Sequence, residues 1–336
     1  ITTTSKRKML VLICILGFFL SATLDNLAST IVLVSLLRRL VPVKSERIWF
    51  ISFAVIAANA GGAWSPIGDV TTTMLWIGQK VSTMGLITHL VIPSIVCIGV
   101  PLLIAMNTKP FKGHITPSGR DFEVGRSLEH LLSSRIMLFV GVGALVFVPI
   151  FKTITHLPPY VGMMLSLGIV WLVSEYIHPE EDFNDERKHL YSAHTALSRI
   201  EMASILFFLG ILLAVSSLET IGLLRNVAEW LDSVIPNQDL VVMILGVLSA
   251  LIDNVPLVAA SMGMYSFPMD DRMWHFIAYA AGTGGSMLII GSAAGVAAMG
   301  MERIDFIWYL RKIAWYALIG FLAGAAAFIG VTAVIG

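Results

Sequence analysis

Charge is what this chain has least of. Only 13% of its 336 residues are Asp, Glu, Lys or Arg, and the 22 basic residues cancel the 22 acidic ones, where soluble domains carry roughly 25% charged residues. That scarcity excludes an ordinary water-soluble globule and a disordered chain, and the absence of a basic excess excludes a nucleic-acid binder. Cysteine is almost missing too. Cys14 and Cys97 both lie in apolar runs, which argues against a disulfide framework and a thiolate metal site and leaves them as packing residues. The opening residues, ITTTSKRKML, lack the pattern of a signal peptide. What is present is apolar surface: 57% hydrophobic residues and a mean hydropathy of +0.84. The reading is an all-α polytopic membrane protein.

A bilayer core of about 30 Å takes about 20 apolar residues of helix. Residues 87–106, 135–151, 159–178, 200–218 and 313–335 read as plain transmembrane helices. Four other stretches come as two matched pairs. Residues 9–41 are interrupted near the middle by Asp25-Asn26, and 239–267 by Asp253-Asn254, so each reads as a re-entrant hairpin. Residues 48–77 hold Asn59, Gly61, Gly62, Pro66, Gly68 and Asp69, and 273–300 hold Gly282, Gly284, Gly285 and Gly291, so each reads as a helix broken at mid-membrane. LDNLAS (24–29) aligns with IDNVPL (252–257), and AGGAWSPIGD (60–69) with TGGSMLIIGS (283–292). The spacing predicts an internal duplication, with a first repeat at 1–106, a linker at 107–134 and a second repeat at 135–336.

Five crossings separate the hairpins, and an odd number makes the repeats inverted. Basic residues concentrate on the cytoplasmic side of membrane proteins. Here eighteen fall on the side of residue 1, and four (Lys80, Lys152, Arg225 and Arg272) on the other. Residue 1 and the linkers 107–134 and 179–199 are therefore expected in the cytoplasm, and the C-terminus outside. The linkers hold His114, His130, His189 and His194, read as solvated. Segment 222–235 alternates Leu224, Val227, Leu231 and Val234 with Arg225, Glu229 and Asp232, the pattern of an interfacial helix. Three crossings precede the second hairpin but only eight residues precede the first, so three further helices are expected upstream of Ile1.

Paired hairpins and broken helices at a repeat interface mark secondary transporters. Unwound backbone in hydrocarbon is tolerated where it lines a cavity or holds an ion. Asp25, Asp69 and Asp253 sit in apolar stretches with no Lys or Arg at comparable depth, so each is expected to be protonated or cation-paired. That is the chemistry of cation-for-proton exchange. Asp25 and Asp253 are the expected shared carriers, with Na+ held at Asp25, Asn26, Asp253 and Asn254, and with Asp69 and Asn59 beside them. Ser65, Thr71, Thr72, Ser249, Thr283, Ser286 and Ser292 supply further oxygens, each also able to satisfy a helix turn. Glu219 lies at a helix end, His275 near the pathway is a candidate pH-sensing group, and His89 reads as a boundary residue.

FFLSATLDNLASTIVLVSLLRRLV (18–41), AANAGGAWSPIGDVTTTMLW (57–76), SALIDNVPLVAASMGMY (249–265) and AGTGGSMLIIGSAAGVA (281–297) resemble the NhaD-type sodium/proton antiporter family of the ion transporter superfamily. HTALSRIEMASILFFLGILLAVSSLE (194–219) extends the likeness to most of the chain. The resemblance implies Na+ or Li+ exchange for H+ in a plasma (inner) membrane, no cofactor and no enzymatic activity. It also implies a homodimer with elevator-type movement of the hairpin-bearing domain. Two other readings stay open. A sodium-coupled carboxylate transporter of the same superfamily would place neutral residues where Asp25 and Asp253 stand. An intramembrane aspartyl protease would need a Gly-x-Gly-Asp element, and Asp69 follows Pro66-Ile67-Gly68 instead.

Overall fold

The computed structural model describes residues 5–115, 128–155, 157, 159–177 and 202–335, which are almost wholly helical. They divide into two compact units, Ile1–Gly119 with Leu212–Gly336, and Arg120–Ile211. Linker residues 116–127 and 178–201, with His189, His194 and Glu201, lie outside the described residues, as does the side chain of His130.

The larger unit starts with helix α1 (Lys6–Leu24), which is interrupted at Asp25 before α2 (Asn26–Leu40) begins. At 19 residues α1 is longer than the expected arm, reaching about 28 Å. Its first turn is tied down by Lys6, whose ammonium pairs with Glu46 at 2.7 Å and whose amide donates to the Gly113 carbonyl at 3.2 Å. Helix α3 (Lys44–Gly62) stops at the glycine pair, residues 63–69 run without helix, and α4 (Val70–Ile77) resumes. Crowding makes the glycines obligatory. A Cβ on Gly61 would collide with the Phe18 carbonyl, and one on Gly62 with the Gly68 carbonyl. Helix α5 (Thr83–Met106) follows, capped by the Ser82 hydroxyl on the Gly85 amide at 2.9 Å.

In the smaller unit α6 (Leu128–Thr155) packs on α7 (Pro159–Ile177), with the Ser166 hydroxyl donating to the Ala144 carbonyl at 2.8 Å. Helix α6 exceeds the expected 135–151 because the polar residues before Ile136 continue the same helix. Helix α8 (Met202–Thr220) returns the chain to the larger unit, and α9 (Leu223–Val234) covers the segment expected to be amphipathic.

The pattern of the first half then recurs. Helices α10 (Gln238–Leu248) and α11 (Asn254–Met264) have 11 residues each, about 17 Å and too short to cross a bilayer. Helix α12 (Arg272–Gly284) ends at the second glycine pair, a 3-10 turn spans Gly285–Met287, and α13 (Ala293–Glu302) resumes. A Cβ on Gly284 would strike the Gly246 carbonyl, and one on Gly285 the Gly291 carbonyl. Helix α14 (Phe306–Lys312), separate from the expected 313–335, starts at an Asp305 cap on the Trp308 amide at 2.7 Å and precedes α15 (Ala314–Ile335). Among the described residues four helices are long and apolar enough to span a membrane: Lys6–Leu24, Thr83–Met106, Tyr160–Ile177 and Ala314–Val334.

The packing crosses between the halves. Helix α1 lies on α3 and α10 on α12, whereas α2 lies on α13 and α11 on α4. Residues 50–62 of α3 and 273–284 of α12 are buried on every side, as central helices without an amphipathic face must be. Both breaks therefore lie in the interior.

Candidate functional site

Two residues begin the resumed helices with nearly the same backbone: Asp69 at φ −149, ψ 150 and Ser292 at φ −147, ψ 151. Ser292 spends its side chain as an N-cap, accepting from the Gly295 amide at 3.2 Å. Asp69 makes no such cap. Its Oδ2 accepts from the Thr71 hydroxyl at 2.8 Å and from the Asn254 Nδ2 of the other half at 3.1 Å. The residue is 3% exposed, and the Cβ position of Gly282 lies 3.6 Å from that same oxygen.

A second chain of polar groups joins the halves. Asn59 accepts from the Asn26 Nδ2 at 3.1 Å and donates to the Ser286 and Ser292 hydroxyls, both at 2.9 Å. Using oxygen and nitrogen in this way fixes the orientation of the Asn59 amide. Asn26, Asn59, Asn254, Ser286 and Ser292 are all buried, where polar groups must be partnered. Tyr309 holds the second break by donating to the Ser286 carbonyl at 2.9 Å.

Other expected residues do local work. Asp25 and Asp253 begin α2 and α11, accepting from the Ala28 amide at 2.7 Å and the Val255 amide at 3.3 Å. Asp25 does so at φ 82, ψ 164, a region nearly reserved for glycine that costs about 1–3 kcal/mol. Asp253, at φ −47, ψ 135, is relaxed. Ser65 donates to the Ala22 carbonyl at 2.6 Å, Thr72 to Asp69 O at 2.9 Å, Ser249 to Gly246 O at 2.8 Å and Thr283 to Tyr279 O at 2.6 Å. Sequence reasoning missed Ser29 and Thr30, whose buried hydroxyls bond nothing among the described residues. Their place one turn after Asn26 on the buried face of α2 was the available signal.

A sequence model of the citrate-transporter family (CitMHS) matches residues 1–281. The chain is 50% identical over 334 residues to sodium/proton antiporter 1 of Arabidopsis thaliana, covering 98% of this chain and 57% of that protein. It is 49% identical to sodium/proton antiporter 2 of the same plant, over 97% of this chain and 78% of that protein. With the Na(+)/H(+) antiporter NhaD of Vibrio cholerae it shares 31% identity over 90% of this chain and 66% of that one. The fold and the family match together define a multi-pass, all-helical membrane protein of a transporter family. Within it, the chain belongs to the NhaD-type sodium/proton antiporters.

Proposed function

We propose that the protein exchanges Na+ for H+ across a membrane, with Asp69 as the carboxylate that the two ions share. The observation that carries this reading is the Asp69 side chain: buried, and bonded to Thr71 and to Asn254 of the other half. A carboxylate buried without a basic partner holds either a proton or a metal cation, because the bare charge is too costly to desolvate. Among the described residues no Lys or Arg joins this hydrogen-bonded cluster. Carboxylate, amide and hydroxyl oxygens suit a small hard cation, and half-helix ends supply carbonyls beside them. Asp25, Asp253, Asn26 and Asn254 complete the proposed binding region at the two helix reversals.

The inverted duplication is proposed on the matched backbone of Asp69 and Ser292, the matched glycine collisions and the crossed packing, with α1–α2 and α10–α11 as hairpins. In this reading the unit holding residues 1–119 and 212–336 carries the ion while the other serves as scaffold, in an elevator-type homodimer. Li+ as an alternative cargo, a plasma-membrane location and a cytoplasmic residue 1 belong to the same proposal. The family model named for citrate gives a second reading, sodium-coupled carboxylate uptake. A buried Asp69 with no Lys or Arg bonded to it among the described residues opposes it, since an anionic substrate would be repelled. Dye-monitored proton flux in proteoliposomes decides: Na+ or Li+ should collapse a proton gradient at alkaline pH. No response to either ion, with Na+-dependent uptake of labelled citrate, would replace exchange by carboxylate transport.

A further inference from the structure

A second cluster of titratable groups lies away from Asp69, where α12 begins against α5. His275, on the first turn of α12, has a side chain with no exposure, and neither of its ring nitrogens finds a hydrogen-bond partner among the described residues. Its ring lies flat on that of His89 of α5, with centroids 4.5 Å apart and planes 5° from parallel. His89 is itself oriented, its Nδ1 lying 2.9 Å from the Gly85 carbonyl and 3.2 Å from the Thr88 hydroxyl. A donating Nδ1–H is the form that suits the carbonyl.

The third member is Asp270, at φ 62 in the loop before α12. Its Oδ1 accepts the Ser82 amide at 2.7 Å and stands 3.5 Å from His275 Nε2, too far for a hydrogen bond but close enough for a small rotation to make one. Gly85 makes the approach possible, since a Cβ there would sit 2.9 Å from both Asp270 Cγ and His275 Cε1. The remaining charges nearby are otherwise engaged or peripheral. Lys80 lies over the Trp274 ring at 4.9 Å, Arg272 is paired with Asp239 at 2.6 Å, and Asp271 caps the Met273 amide at 2.8 Å.

Buried polar nitrogens without partners are costly and ask for a ligand. A proton answers here: it converts His275 Nε2 into a charged donor facing Asp270, and the facing imidazole stabilises the cation through its ring. A second proton on His89 would set two like charges 4.5 Å apart, which is strongly disfavoured away from water. We propose that His89, His275 and Asp270 form a proton-binding site separate from the ion site, taking one proton per histidine pair and tying the turn between α4 and α5 to α12 when filled. Seven residues along α12 from His275 lies Gly282, which borders Asp69, so the tie bears on the helix that lines the ion site. That link to transport rests on the exchange reading; proton binding itself does not.

The test is imidazole C2 hydrogen–deuterium exchange, read residue by residue by mass spectrometry on the full chain in detergent. Within about pH 5 to 8, where an imidazole ordinarily changes charge, one ring of the pair should titrate and the other stay neutral. His89→Phe keeps a stacked ring and removes the second base, and should move the His275 midpoint by about one pH unit or more, the mark of a tenfold change in proton affinity. Independent titration of both rings, with the His275 midpoint unmoved in His89→Phe, would overturn the site. Should that variant not fold, Asp270→Asn is read by the same criterion. In proteoliposomes, His275→Gln should shift the pH of half-maximal exchange by about one unit, and a profile superimposed on the unmodified protein would overturn the tie. Absence of exchange in the unmodified protein would contradict the exchange reading alone, because the titration is read without transport.

Discussion

Asp69 and Ser292 hold matching places in the two halves and are put to different use. Both begin a resumed half-helix with nearly the same backbone and both meet the other half, Ser292 accepting from Asn59 and Asp69 from Asn254, yet Ser292 also caps its own helix while Asp69 brings a buried carboxyl group. The difference teaches that one backbone conformation can seat a neutral hydroxyl cap in one place and a buried carboxyl group in the other, and the exchange proposal rests on the second. The reversals differ in the opposite sense: Asp25 holds a strained backbone and Asp253 a relaxed one.

The comparison breaks most completely if the breaks themselves are filled. Gly61→Ala and Gly284→Ala each press a methyl into a backbone carbonyl, and each should cost about 3 kcal/mol or more. Size-exclusion profiles in detergent should lose the folded peak, while Gly99→Ala, which meets open space, should keep it. Next in size is the matched pair. Asp69→Asn should lower Na+/H+ exchange about 100-fold, as loss of a charged ligand worth about 3 kcal/mol would. Ser292→Ala should cost only about 1 kcal/mol of stability through the lost cap, leaving most exchange intact in the same vesicle assay.

The reversals come third. Asn caps a helix as well as Asp does, so Asp25→Asn and Asp253→Asn isolate the charge from the cap. Melting temperatures should hardly move, and exchange should fall about tenfold, one charge-assisted interaction's worth. Unchanged exchange in either variant would leave that aspartate a capping role alone.

The last effect is on stability alone and concerns the far end of the second broken helix. Glu302, 3% exposed, takes Arg38 Nε at 2.5 Å and Arg47 Nε and Nη2 at 3.0 and 2.9 Å. Burial raises its pKa, but Arg38 and Arg47 outweigh that and hold it below the ordinary 4.5. A depressed folded pKa means that the contribution is complete above the unfolded value and is lost as pH falls through the lowered one. Glu302→Gln should therefore lower stability by about 1–3 kcal/mol at neutral pH, discounted because Arg38 is half exposed. Melting curves of the variant and the parent should converge in acid.

Much of this was legible from residue types. Glycine runs and Asp-Asn pairs stand out in apolar sequence, and they fall where one helix ends and the next begins. Asp69, Asn59, Ser286 and Ser292 were readable as candidates because oxygens in such stretches are few. Which aspartate faces the other half was not legible, because capping and exposing the same carboxylate differ only in side-chain rotation at a fixed backbone. Contacts such as Asn59 to Ser292, 233 residues apart, and Arg47 to Glu302, 255 apart, arise only when the halves pack. The stacked histidines belong to that class too, since neither sequence neighbourhood names its partner.

Calorimetric titration of the purified chain with Na+, in buffers of different ionisation enthalpy, tests most directly whether sodium and proton compete for Asp69. Na+ binding is expected to release protons near neutral to alkaline pH, and Asp69→Asn to abolish the release. Na+ binding without proton release, or an undiminished release in Asp69→Asn, would contradict that competition.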